Sequence, residues 1–106
     1  MADRETAATP PETPELRRLR RRIDALDRKI VGLLNERAEL GRAVGREKAA
    51  TGRRAVRDAQ REREVLLRVT MANTGPLPQA DLLAVYRRLI AVNRALEARD
   101  RKGPGG

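Results

Sequence analysis

Between residues 16 and 44, apolar side chains recur at alternating intervals of three and four: Leu16, Leu19, Ile23, Leu26, Ile30, Leu33, then Leu40 and Val44. That spacing marks one face of a continuous helix. Thr13 suits an N-cap, Pro14 fits the first helical position, and Glu15 lies in the first turn, where a carboxylate complements the helix dipole. The period holds to about Ala50, which predicts a helix of about 37 residues, roughly 55 Å long at 1.5 Å per residue. A chain of 106 residues supports one small domain. Such a chain has too little sequence to cover a helix of that length, so an intertwined oligomer is expected.

The remainder is also helical in pattern. Thr51-Gly52 ends the first helix, and a second reads from Asp58 as N-cap to about Asn73, with Val65, Leu66, Val69 and Ala72 on one face. Thr74-Gly75-Pro76-Leu77-Pro78 is a turn. A third helix spans about Gln79 to Arg101, with Leu82, Tyr86, Leu89, Ile90 and Leu96 as its buried stripe. One Tyr and no Phe or Trp leave a core of Leu, Ile, Val and Ala, residues that interdigitate well between helices. The expected fold class is all-α, three helices per chain. The expected organisation is a disordered tail over 1–13, a helical domain over 14–101 and a flexible tail over 102–106, rich in Gly. With so little chain outside that domain, no regulatory domain is expected.

Composition narrows the chemistry. The absence of Cys and His removes disulfides, thiol nucleophiles, imidazole acid–base chemistry and the usual zinc sites, so no cofactor or metal is expected. Catalysis would have to run on Arg, Lys, Asp, Glu and Asn. A net charge of +9 attracts anions, whether nucleic acid, acidic membrane or carboxylated metabolites. No apolar run is long enough to span a bilayer and the first residues lack a signal-peptide centre, so a cytoplasmic location and no membrane partner are expected.

The placement of charges says more than their number. Arg37 occupies the seam position between Leu33 and Leu40, Arg20 lies between Leu16 and Ile23, and Lys48 follows Val44 by four. A long stem can snorkel to the helix edge, which accounts for any one of them alone. Three together ask for a partner. Arg37 and Lys48 stand about three turns and 16 Å apart on one face. Between them lie Gly41, Val44 and Gly45, consistent with a cavity holding a cation at each end, or with close helix packing. Each glycine costs roughly 1 kcal/mol of helix stability relative to Ala. Arg20 is about 25 Å from Arg37 along the axis, so only an antiparallel partner helix brings it to the same ligand. The second helix begins with Asp58, Arg61 and Glu62 on its inner face, and Asn93 and Glu97 extend the stripe of the third. One buried polar pocket accounts for all of these positions.

The stretches LRRLRRRIDALDRKIVGLLNERAELGRAVGREK, AVRDAQREREVLLR and VYRRLIAVNRALE together resemble the all-helical class of chorismate mutases, over about residues 16 to 100. The resemblance implies an intertwined homodimer, a dicarboxylate small-molecule substrate and a place in the shikimate route to aromatic amino acids. The implied reaction is the intramolecular [3,3] rearrangement of chorismate to prephenate, with no covalent intermediate. Carried over by motif, Arg20 is supplied across the dimer, Arg37 and Arg61 bind carboxylates, and Lys48 donates to the ether oxygen. Asp58 and Glu62 receive the ring hydroxyl, while Asn93 and Glu97 contact the ring carboxylate and the ether oxygen. The sequence departs from the family pattern in having Asn93 where members often carry Ser and Glu97 where many carry Gln. A carboxyl donates to an ether oxygen only when protonated, so activity is expected to decline as pH rises. Relatives on the same fold that act on 4-amino-4-deoxychorismate, or eliminate pyruvate from isochorismate, are the nearest alternatives. A basic helical nucleic-acid-binding or adaptor protein using Arg17 to Arg22 is the alternative from another class. It lacks stacking aromatics, and Asp24, Asp27, Glu36 and Glu39 interrupt its positive face, so no nucleic-acid partner is expected.

Overall fold

A computed structural model describes residues 9–52 and 58–102. Three helices follow one another in the order α1 (Pro14–Ala50), α2 (Ala59–Ala72) and α3 (Gln79–Lys102), with no strand among the described residues. Lys102, assigned to the tail from sequence, closes α3 instead. Residues 9–13 of the expected N-terminal tail have no regular secondary structure. Residues 1–8 of that tail and 103–106 of the C-terminal one lie outside the described residues, as does the stretch 53–57 between the first two helices.

The helix starts are built as capping chemistry predicts. Thr13 Oγ1 accepts from Leu16 N at 3.1 Å, and its carbonyl accepts from Arg17 N at 3.0 Å. Asp58 caps α2 from an extended backbone, its carboxylate accepting from Arg61 N at 3.0 Å. The turn into α3 is held by Asn73, whose Oδ1 accepts from Gly75 N at 3.1 Å. Its Nδ2 donates to Leu77 O at 3.1 Å and Gln79 Oε1 at 2.7 Å. Gly75 takes the left-handed conformation that this turn needs, at φ +87°.

The chain divides into two compact units inside α1, one reaching Asn35 and one beginning at Glu36. In the first, the seam lies open: Leu19, Ile23, Leu26, Ile30 and Leu33 are 43–63% exposed. Its charged pairs are local, Arg20 with Glu12 and Arg18 with Glu15. In the second unit the interior is small. Ile90 is the buried apolar side chain among the described residues, while Leu82, Tyr86, Leu89 and Leu96, expected as a buried stripe, are half-buried. Val65, Leu66 and Val69 on α2 are half-buried as well, and Ala72 is exposed. The stripes have the expected period, but the single chain lacks the atoms to cover them. No helix among the described residues is long and apolar enough to cross a membrane.

Candidate active site

Within the unit beginning at Glu36, the polar ends of the helices line one cavity of about 310 Å³. That is the size of clefts that take small metabolites. Arg37 and Lys48 come from α1, Asp58, Arg61 and Glu62 from the cap and first turn of α2, and Asn93 and Glu97 from α3. These are seven of the eight residues singled out from sequence; Arg20 belongs to the other unit and is not among the lining residues. Leu40, Val44, Val65 and Ile90 supply apolar walls.

Two glycines of α1, Gly41 and Gly45, let α3 approach closely beside the cavity. A Cβ added at Gly41 would overlap Asn93 Nδ2, and one at Gly45 would stand 2.9 Å from Glu97 Cγ. Both readings of these glycines have support: α3 side chains pack closely above them, and Gly41 lines the cavity between Arg37 and Lys48. The same approach explains why Gly45 is buried on a helix whose apolar seam is exposed. The helix cost of each glycine is thereby tied to two site residues.

Arg37 is held from two sides. Its Nη1 donates to Asn93 Oδ1 at 3.0 Å, and its guanidinium carbon lies 5.7 Å from the centroid of the Tyr86 ring, within cation–π range. Asn93 Nδ2 in turn donates to Ala38 O at 3.4 Å. At the other end of the cavity, Lys48 Nζ lies 4.0 Å from Glu97 Oε2, both side chains largely buried at 14% and 9% exposure. Glu97 Oε2 has no hydrogen-bond partner among the described residues. A buried polar atom without a partner is costly, and in a cleft of this kind it marks a place for a ligand group.

One lining residue escaped the sequence reading. Arg94 Nη1 donates to both oxygens of Glu62, at 3.1 and 2.9 Å, and the pair is mostly withdrawn from solvent. The signal was present, because Arg94 stands four residues after Ile90 and three before Glu97, on the face of α3 that lines the cavity. Tyr86 was read as packing alone, and its contact with Arg37 has no counterpart in the pattern of α3 by itself. Outside the cavity, Arg42 forks onto Asp100, Nε to Oδ2 at 2.9 Å and Nη2 to Oδ1 at 3.1 Å, tying α1 to α3 near Gly45 and Glu97. This hydrogen-bonded guanidinium holds the Asp100 carboxyl below its ordinary value.

Residues 19–98 match the family described as chorismate mutase type II. A bifunctional chorismate mutase/prephenate dehydratase of Aquifex aeolicus is 36% identical over 87 residues, covering 78% of this chain and 24% of that protein. One from Neisseria gonorrhoeae is 40% identical over 78 residues, covering 74% and 21% respectively. The chain thus spans about a quarter of the length of these curated relatives. A solved structure of chorismate mutase (form II) from Thermus thermophilus superposes with a TM-score of 0.75 at 30% identity, covering 80% of this chain and 96% of that one.

Proposed function

The chain belongs to the chorismate mutase type II family, a family of isomerases, and we propose that its cavity rearranges chorismate to prephenate. The observation that carries this reading is the ion pair of Lys48 Nζ with Glu97 Oε2, a buried oxygen without a hydrogen bond among the described residues, across the cavity from a preset Arg37. A dicarboxylate ether needs cations for its carboxylates and donors for the oxygen whose bond breaks. The cavity supplies both.

In this reading Arg37 and Arg61 hold the substrate carboxylates, and the preset guanidinium of Arg37 lowers the cost of ordering the bound ligand. Holding both carboxylates in one compact geometry favours the conformer in which the two reacting carbons approach. As the carbon–oxygen bond lengthens, negative charge grows on the ether oxygen. Lys48, with Glu97 at its side, donates to that oxygen and stabilises the transition state more than the ground state. Asn93 sits beside the ring carboxylate, and Asp58 and Glu62 accept from the ring hydroxyl. No group of the protein forms a covalent bond in this scheme.

A homodimer completes the proposal. The exposed seam of α1 supports a second copy as its cover, since a run of leucine and isoleucine open to water along a helix is unfavourable for an isolated chain. In such a dimer Arg20 exchanges Glu12 for the ligand of the partner chain's cavity. The domain that carries this activity is taken as residues 14–101. The test is turnover of chorismate by purified protein, with the product identified by mass and the assembly sized by sedimentation. Prephenate formed by a two-chain species is the expected result. An unchanged substrate pool sinks the catalytic reading, and a monomer that turns chorismate over at full rate sinks the shared site.

A further inference from the structure

Arg94 is a fourth cation lining the cavity, beside Arg37, Lys48 and Arg61, and it engages Glu62, one of the two carboxylates that the proposed reading sets against the ring substituent. We propose that Arg94, by pairing with Glu62, makes the site select a neutral hydroxyl on the substrate ring over an ammonium group at the same position. The inference rests on the chorismate reading of the cavity and adds to it a basis for substrate choice.

The argument is one of charge at fixed hydrogen-bonding capacity. A carboxylate offers about four acceptor positions, so Glu62 can take one guanidinium nitrogen and still accept from a ligand. An unpaired carboxylate at that point attracts an ammonium by full charge, and a hydroxyl only by its dipole. With Arg94 Nη1 at 2.9 and 3.1 Å from its two oxygens the charge of Glu62 is offset, and an incoming ammonium meets a guanidinium at the same corner of the cavity. The second carboxylate of this corner is offset too: Asp58 accepts from Arg61 N as the cap of α2, where the helix dipole adds positive charge. The pair is two-thirds or more withdrawn from water, with side-chain exposures of 31% and 18%, so screening is incomplete. Selectivity here comes from a repulsive element, which excludes the analogue without adding contact to the preferred substrate.

The experiment compares kcat/KM for chorismate and for 4-amino-4-deoxychorismate in the wild type, Arg94→Gln and Arg94→Lys. The wild type prefers chorismate, Arg94→Gln shifts the ratio towards the amino compound by on the order of tenfold, and Arg94→Lys keeps the wild-type ratio. A role in packing alone lowers both rates together, so an unmoved ratio in Arg94→Gln overturns the inference and leaves the chorismate reading standing. Turnover of neither substrate by the wild type overturns both. Where circular dichroism shows Arg94→Gln unfolded, Arg94→His reads the same quantity in one folded protein. Its ratio, referred to the wild type at each pH, moves towards the amino compound as the imidazole loses its proton between about pH 5.5 and about pH 7.5. A flat ratio there counts against the proposal equally.

Discussion

The two ends of α1 share one helix and one apolar period, yet they differ in what stands on the seam. Up to Asn35 the seam is leucine and isoleucine open to solvent, with Arg20 between Leu16 and Ile23, and its charged partners lie within eight residues in sequence. From Glu36 onward the same period carries Arg37 and Lys48, glycines stand beside it, and polar contacts reach residues 49 to 58 positions away on α3. In the proposed reading the apolar seam serves association, with Arg20 reaching the partner chain's cavity. The region of Arg37 and Lys48 serves a ligand there, its cations held by Asn93, Tyr86 and Glu97.

That contrast can be broken most severely in the first region. Leu26→Asp places a carboxylate on the seam and is expected to weaken assembly at least about a hundredfold, read by sedimentation, with activity lost in parallel. Retained assembly would show that the seam is not an interface. In the second region, Lys48→Ala is expected to lower kcat by about 10² to 10³-fold with little change in KM, since its donor matters chiefly to the breaking bond. Arg37→Ala should raise KM as well, and equal small effects from the two would undo the division of roles. A gentler contrast comes from Glu97→Gln, which removes the charge beside Lys48 and keeps hydrogen-bonding capacity: kcat is expected to change less than in Lys48→Ala, and an equal loss would give Glu97 a larger role.

The smallest effect belongs to Asp100. Its carboxyl is held low in the folded chain by Arg42, so the unfolded chain binds more protons across the interval between the two values. The resulting stability is present above the ordinary carboxylate range and disappears as pH falls through the lowered folded value. Asp100→Asn should therefore flatten the acid side of a Tm-against-pH curve and leave neutral activity alone. An exposed pair of this kind contributes little, and a large loss of Tm at neutral pH would argue for a further role.

Helix limits were legible because they rest on local chemistry: Thr13, Pro14 and Asp58 act on backbone groups three or four residues away. Residues of the cavity were legible because a charge on an apolar face is visible in one dimension. What sequence withheld is pairing between elements. Arg94 carried the right period, but its partner Glu62 lies 32 residues earlier, and no rule of spacing joins a guanidinium on α3 to a carboxylate on α2. The glycines were likewise visible as small. That Asn93 and Glu97 occupy the space above them depends on how α3 is set against α1, which only the folded chain specifies.

The glycines also reverse an ordinary rule of protein engineering. Replacing a helical glycine by alanine is a standard route to a more heat-resistant protein, and a survey of α1 by propensity alone would nominate Gly41 and Gly45 first. Here each added methyl would fall within 3 Å of a side chain that lines the cavity. The gain in helix propensity is therefore offset by overpacking, and alanine at these two positions disturbs the α1–α3 contact and the cavity together. Gly32, on the same helix with nothing within 4 Å of its added Cβ, is the position where stabilisation and activity are separable.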